Sequence, residues 1–143
     1  MIELHCKLIL DVKLLNIIIC LDDKNGMLFG GKRQSRDSVL CKRMLEISKE
    51  TGLLMNNYSA KLFEAEDVIA DEGFLLKAQK GDYCFIENTA IPESFEKIVI
   101  YRWNRVYPSD VKFDTSLISS KQLVSSFEFE GSSHSKITEE VYE

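Results

Sequence analysis

Between Asn16 and Asp37 the chain reads NIIICLDDKNGMLFGGKRQSRD, and the order of residue types there limits the fold more than any other feature. The run Leu15 to Leu21 is isoleucine-rich, too short for an ordinary helix, and closed by Asp22-Asp23-Lys24-Asn25-Gly26. A near-continuous apolar run ending in turn residues reads as a strand buried on both faces, which predicts a central place in a sheet. After the Gly30-Gly31 pair, Ser35 or Asp37 is placed to cap a helix running to about Lys49, because their oxygens accept from unpaired first-turn amides. Val39, Leu40, Met44, Leu45 and Ile47 form its apolar side and Gly52 its stop.

The next segments repeat the alternation. Leu53-Leu54-Met55 is a short strand, Asn56-Asn57 leads into a helical turn around Ser59 to Phe63, and Val68-Ile69 is a short strand. Asp71 caps a short helix to about Lys80, and Tyr83 to Ile86 is a strand after Gly81-Asp82. Strands alternating with helices imply parallel pairing through crossovers. From Glu96 the texture becomes β: Ile98 to Val106, Gln122 to Glu130 and Ile137 to Tyr142 are strand-like. The expected fold is α/β, a mixed, mostly parallel sheet flanked by helices, with a C-terminal antiparallel hairpin.

Length and composition set the remaining bounds. A chain of 143 residues, 45% hydrophobic and 29% charged, buries a core of its own and reads as a single domain, 1–143. Residues 1–13 are an added strand or a leader, and 14–143 the core. Glu3, Lys7, Asp11 and Lys13 interrupt the apolar N-terminus, which therefore lacks the ~20 apolar residues of a membrane helix and the pattern of a signal peptide. Cys6, Cys20, Cys41 and Cys84 form no Cys-x-x-Cys pair and read as reduced, mostly buried thiols, so a cytoplasmic location is expected. The net charge of −5 disfavours broad nonspecific nucleic-acid binding, which rests on Lys and Arg displacing phosphate counterions.

Several strings resemble, in order, the dihydrofolate reductase family from Leu15 to Glu143. CLDDKNGMLFGGKRQSRD is similar to its first strand and mobile active-site loop, with Asp37 near the carboxylate that holds the pterin. MNNYSAKLF resembles the start of its second helix, YCFIEN the strand bearing its cofactor-binding Gly-Gly pair, and IVIYRWNRVYPSDVKFD with FEFEGSSHSKITEEVYE its closing strands. The resemblance implies the fold; the departures fall on the cofactor. Glu87-Asn88 replaces the Gly-Gly pair, and a carboxylate there repels a pyrophosphate. Asn57 and Ser59 stand for the phosphate-holding Arg and Thr, and Arg33-Gln34 for a loop Pro-Trp. No cofactor is expected, and these departures count against NADPH.

QSRD, MNNYSAKLF, YRWNRVYP and GSSHSKITEEVY also resemble a family of small bacterial proteins that often carries a ribonuclease Z label. Genuine ribonuclease Z needs a His-x-His-x-Asp-His cluster for two zinc ions, whereas this chain has only His5 and His134. Zinc-dependent RNA cleavage is rejected, no metal is expected, and Glu66 and Asp67 show no metal-ligand spacing.

The candidate catalytic residue is Asp37, able to anchor a heterocycle or simply to cap a helix. Lys32, Arg33 and Arg36 are candidates for holding phosphate, against a plain solvated loop. Together with Asn57, Ser59, Glu87 and Asn88 they outline a ligand cleft between the Gly30–Asp37 loop, the second helix and the end of the Tyr83–Asn88 strand. Arg102, Trp103 and Arg105, together with His134, are candidates for a partner surface; aromatics interleaved with arginines stack bases and pair with phosphates. The bland alternative packs Tyr101 and Trp103 into the core and pairs the arginines with Asp110 or Asp114. His134 lies in a hydroxyl-rich loop without a carboxylate at fixed spacing to make a triad. A ligand-binding or regulatory protein, acting on a small molecule or protein partner and away from membranes, is the expectation. The alternatives are a divergent reductase or hydrolase acting on a pterin or nucleotide, and a nucleic-acid- or protein-binding inhibitor.

Overall fold

The computed structural model describes residues 15–64 and 67–143. The expectations for residues 1–13, His5, Cys6 and Glu66 lie outside them. β1 (Asn16–Leu21) is buried on both faces, with Ile17, Ile18 and Ile19 fully covered. It occupies the middle of a seven-stranded sheet, flanked in parallel by β6 (Tyr83–Phe85) and β7 (Lys97–Arg102). Beyond β6 lie β4 (Leu53–Met55) and β5 (Ile69–Ala70), both parallel. Beyond β7 the direction reverses through β10 (Ile137–Tyr142) and the edge strand β9 (Leu123–Phe129). The mostly parallel sheet with an antiparallel C-terminal hairpin agrees with the expected architecture.

A second sheet of three short strands, β3 (Lys32–Arg33), β2 (Gly26–Phe29) and β8 (Val111–Lys112), closes one end. Gly30 and Gly31 join β2 to β3 with φ of 60° and 75°. A two-residue hairpin with both φ positive matches strand twist, and only residues such as Gly adopt it without strain. This turn points Arg33 back towards the main sheet.

Two cores follow from the alternation along β1. Ile17, Ile19 and Leu21 pack with Phe74, Phe95 and Phe113 on one face. Ile18 packs on the other with Leu40 and Met44 of α1 (Ser38–Ile47), Phe85, Tyr101 and Trp103. Of the five apolar positions expected on α1, only Leu40 and Met44 are fully buried. The other helices are single turns, α2 (Asn57–Ala60) and α3 (Phe74–Lys77). Both begin elsewhere than expected: Asn56 caps α2, and Asp71 accepts from Gly73 N ahead of α3 without capping it. A 3₁₀ turn, Thr115–Ile118, is capped by Asp114.

Tyr101 and Trp103 are buried, but the expected partners of the arginines are corrected. Arg102 donates to Glu140 on the neighbouring strand at 2.8 Å and to Asn25 at 2.8 Å. Asp110 accepts from Gly30 N, and Asp114 from Ser116. Strand pairing of β7 with β10 places the glutamate beside Arg102, and such cross-strand neighbours outrank carboxylates in the following loop.

Candidate functional site

Asp37 begins as a local device and ends as a long-range one. Its Oδ1 accepts from Val39 N and Leu40 N at 3.0 and 3.2 Å, capping α1. The same oxygen takes Ser132 N at 3.0 Å, while Oδ2 takes Ser133 N at 2.9 Å and His134 Nδ1 at 3.0 Å. The carboxylate is therefore clasped by the loop between β9 and β10, ninety-seven residues away from its nearest histidine partner. The side chains of Asp37 and His134 are 0% and 2% exposed. Burial pushes the Asp37 carboxyl pKa up, and the hydrogen bonds from His134, Ser132, Ser133 and Leu40 outweigh it, holding the group well below the usual carboxylate range.

The far nitrogen of the ring completes a chain of polar contacts. His134 Nε2 lies 3.1 Å from Ser35 Oγ and 2.9 Å from Tyr107 OH. Trp103 stacks on the imidazole with centroids 4.5 Å apart. Asp22, also fully buried, ties the loops that carry these groups together: it accepts from Gly26 N, Gln34 Nε2 and Tyr107 N.

Across the cleft, Arg33 forms a two-pronged pair with Glu87, Nε to Oε2 at 2.9 Å and Nη2 to Oε1 at 3.0 Å. Its guanidinium lies 4.2 Å above the Tyr58 ring, and Ser59 Oγ donates to the same carboxylate at 2.7 Å. Asn88 accepts from Asn56 Nδ2 at 2.7 Å. The cleft expected between the Gly30–Asp37 loop, α2 and the end of β6 is thus occupied by protein, because a planar five-donor side chain opposite a carboxylate satisfies both groups.

The open space lies to one side. A cavity of about 360 Å³ is bordered by Arg36, Ser38, Cys41, Lys61, Ser132 and Ser133, with Asp37 at its wall. Burial, with the nearby charges of Glu87 and Asp37, raises the Cys41 thiol to about 11, so it meets this cavity protonated.

Of the residues expected to act together, Arg33, Ser59 and Glu87 meet directly, and Arg36 and Asp37 share the cavity. Lys32, Asn57 and Asn88 are exposed at the rim, and Arg105 lies on the surface. Trp103 and His134, expected on a partner surface, are buried in contact with each other. Ser35, Tyr58, Lys61, Tyr107 and the Ser132-Ser133 pair were not expected at the site. Each lies one or two residues along the chain from an expected site residue, and tertiary contact brings them together.

A solved structure of dihydrofolate reductase from Enterococcus faecalis, complexed with NADP(H) and RAB-propyl, superposes with a TM-score of 0.57 at 15% identity. The match covers 92% of this chain and 96% of that one. The chain has the dihydrofolate reductase fold. No family model and no curated protein matches it. At this identity the likeness concerns architecture: the dihydrofolate reductase fold supplies the sheet order and the cleft, and the side chains in the cleft are this chain's own. Among the described residues no three His, Cys, Asp or Glu side chains gather to hold a metal, and no helix is long and apolar enough to cross a membrane.

Proposed function

We propose that the protein uses the dihydrofolate reductase fold to bind a small anionic molecule and does not carry out NADPH-dependent reduction. The observation that carries this reading is the Arg33–Glu87 pair. A pyrophosphate at the end of β6 would need free backbone amides and open space, and there the chain offers a carboxylate already bound by Arg33 and Ser59. The residues present do not fit that cofactor. Arg36 and Lys61 beside the hydroxyls of Ser38, Ser132 and Ser133 instead suit a carboxylate or phosphate in the open cavity.

Two other readings find less support. A pterin anchored on Asp37 would compete with five donors already on its two oxygens. A nucleic-acid or protein partner on Arg102 would have to displace Glu140 and Asn25. Zinc-dependent ribonuclease chemistry has no donor cluster to rest on among the described residues.

Thermal unfolding with and without NADPH, alone and together with dihydrofolate, tests the reading. A ligand at a hundred times its dissociation constant adds about 2.7 kcal/mol, a shift of roughly 8 °C for a domain of this size. No shift with either compound, and a shift with small carboxylates or phosphate esters that is lost in Arg36→Ala/Lys61→Ala, is the expected result. Stabilisation by NADPH overturns it.

A further inference from the structure

The hydrogen-bonded series Asp37, His134, Ser35 has a use that ligand binding does not require. Asp37 is ionised and accepts only, so Nδ1 of His134 carries the proton between them at 3.0 Å. The lone pair of Nε2 then faces a half-exposed serine hydroxyl at 3.1 Å. A hydroxyl on the base, and the base oriented by a buried carboxylate, is the relation that activates a serine nucleophile irrespective of chain order. The loop holding Ser35 adds a second element. Among the described residues, the backbone amides of Ser35 and Arg36 donate to no protein acceptor, and such amides at and after a nucleophile can receive an oxyanion. A third is a void of about 10 Å³, room for about one water, lined by Ser35 and by Gln34, whose buried Oε1 has no donor in the protein.

We propose that Ser35 is the nucleophile of a carboxylic-ester hydrolase built on this relay. Ser35 Oγ attacks the ester carbonyl while its proton passes to His134 Nε2. The tetrahedral oxyanion forms beside the Ser35 and Arg36 amides. As the ester C–O bond breaks, Nε2 returns the proton to the leaving alkoxide, giving an alcohol and acyl-Ser35. Water then attacks the acyl carbon, its proton goes to Nε2 and on to the departing Ser35 Oγ, and the carboxylic acid is released. Trp103 and Asp37 hold the imidazole in place throughout. Tyr107 has a defined part: its hydroxyl, 2.9 Å from Nε2, competes with Ser35 for the one lone pair. Resting on the binding reading above, the cavity beside Arg36 and Lys61 gives the relay a preference for esters carrying an anionic group.

The test is covalent labelling of the full chain with a fluorophosphonate, followed by intact mass and peptide mapping. One phosphonyl group on Ser35 is expected, absent in Ser35→Ala at an unchanged unfolding temperature. Tyr107→Phe should label several-fold faster than the wild type, a gain that loss of a structural hydroxyl would not produce. Labelling elsewhere, no labelling, or slower labelling in Tyr107→Phe overturns the assignment. Hydrolysis of p-nitrophenyl acetate should fall about 10⁴-fold or more in Ser35→Ala, the scale on which loss of a triad member is felt, and an unchanged rate overturns it. The substrate preference is read separately: mono-p-nitrophenyl succinate should be hydrolysed faster than the acetate, and equal rates remove the anionic preference while leaving Ser35 as the nucleophile.

Discussion

Replacing Asp37 separates two things that one carboxylate does. Asp37→Ser keeps a good cap for α1, since a serine oxygen still reaches the amides of Val39 and Leu40. One atom shorter, it cannot reach the 132–134 loop, and three donors lose their acceptor: Ser132 N, Ser133 N and His134 Nδ1. Ser132 and Ser133 are exposed and recover hydrogen bonds from water, whereas the His134 side chain is 2% exposed and does not. Leaving one buried donor unsatisfied costs about 1–3 kcal/mol, and the two amides add part of a hydrogen bond each, so about 3 kcal/mol is expected for Asp37→Ser. Asp37→Ala loses the cap as well, about 1 kcal/mol more. Urea unfolding followed by circular dichroism at pH 7 measures both, and in a thermal scan they correspond to losses of roughly 10 and 14 °C. If Asp37→Ser unfolds within 0.5 kcal/mol of the wild type, a margin typical of neutral surface changes, the clasp contributes nothing to stability. If the two variants are equal, the cap does not.

Other substitutions probe the same framework. Asp37 and Asp22 both have depressed pKa values, so each contributes stability that is present above the unfolded-state carboxylate value, about 4, and lost as pH falls through the folded value. Denaturant titrations from pH 7 to pH 3 should show the onset of this loss below about pH 4, and a smaller one in Asp37→Asn; an equal acid limb in the variant would contradict the linkage. A methyl group on Gly131 would overlap the Asp37 carboxylate, which is held on all sides, so Gly131→Ala should destabilise by about 1–3 kcal/mol; a neutral result in urea unfolding would mean the hairpin shifts freely. Arg33→Ala leaves Glu87, whose side chain is 9% exposed, with Ser59 as its remaining partner, and about 2 kcal/mol of destabilisation is expected. A double-mutant cycle with Glu87→Gln that gives a coupling below about 0.5 kcal/mol, the size of ordinary non-additivity, would reduce the pair to a surface contact.

The parts of the fold readable from the sequence are those set by neighbours along the chain. The isoleucine run declares β1 because burial on both faces makes Ile17 to Ile19 continuously apolar, and Asp37 declares the cap of α1 because the amides that donate to it are two and three residues on. The one-turn helices α2 and α3 differ from expectation because turns this short carry no apolar period: α2 starts at the cap Asn56 supplies, and α3 starts after Gly73 with no side-chain cap at all. The site is less legible for a related reason. His134 looked like a loop residue because its carboxylate comes from the other end of the chain. Arg33 looked free to hold a phosphate because nothing local reveals that the glycine turn swings it onto Glu87. Charge pairs across sheets and loops follow register, and register depends on every strand at once.

The stacking of Trp103 on His134 joins the single tryptophan of the chain to the loop that closes the sheet. Contacts of Ser35 and Asp37 with that histidine span 99 and 97 residues, so they belong to the high contact-order part of the fold, whose chain-entropy cost falls due before the contacts repay it. During synthesis the hairpin β9–β10 leaves the ribosome after the other strands of the sheet, and the whole polar relay stays unassembled until it docks. The indole is consequently a built-in optical probe of that docking, and its emission follows the step that assembles the relay.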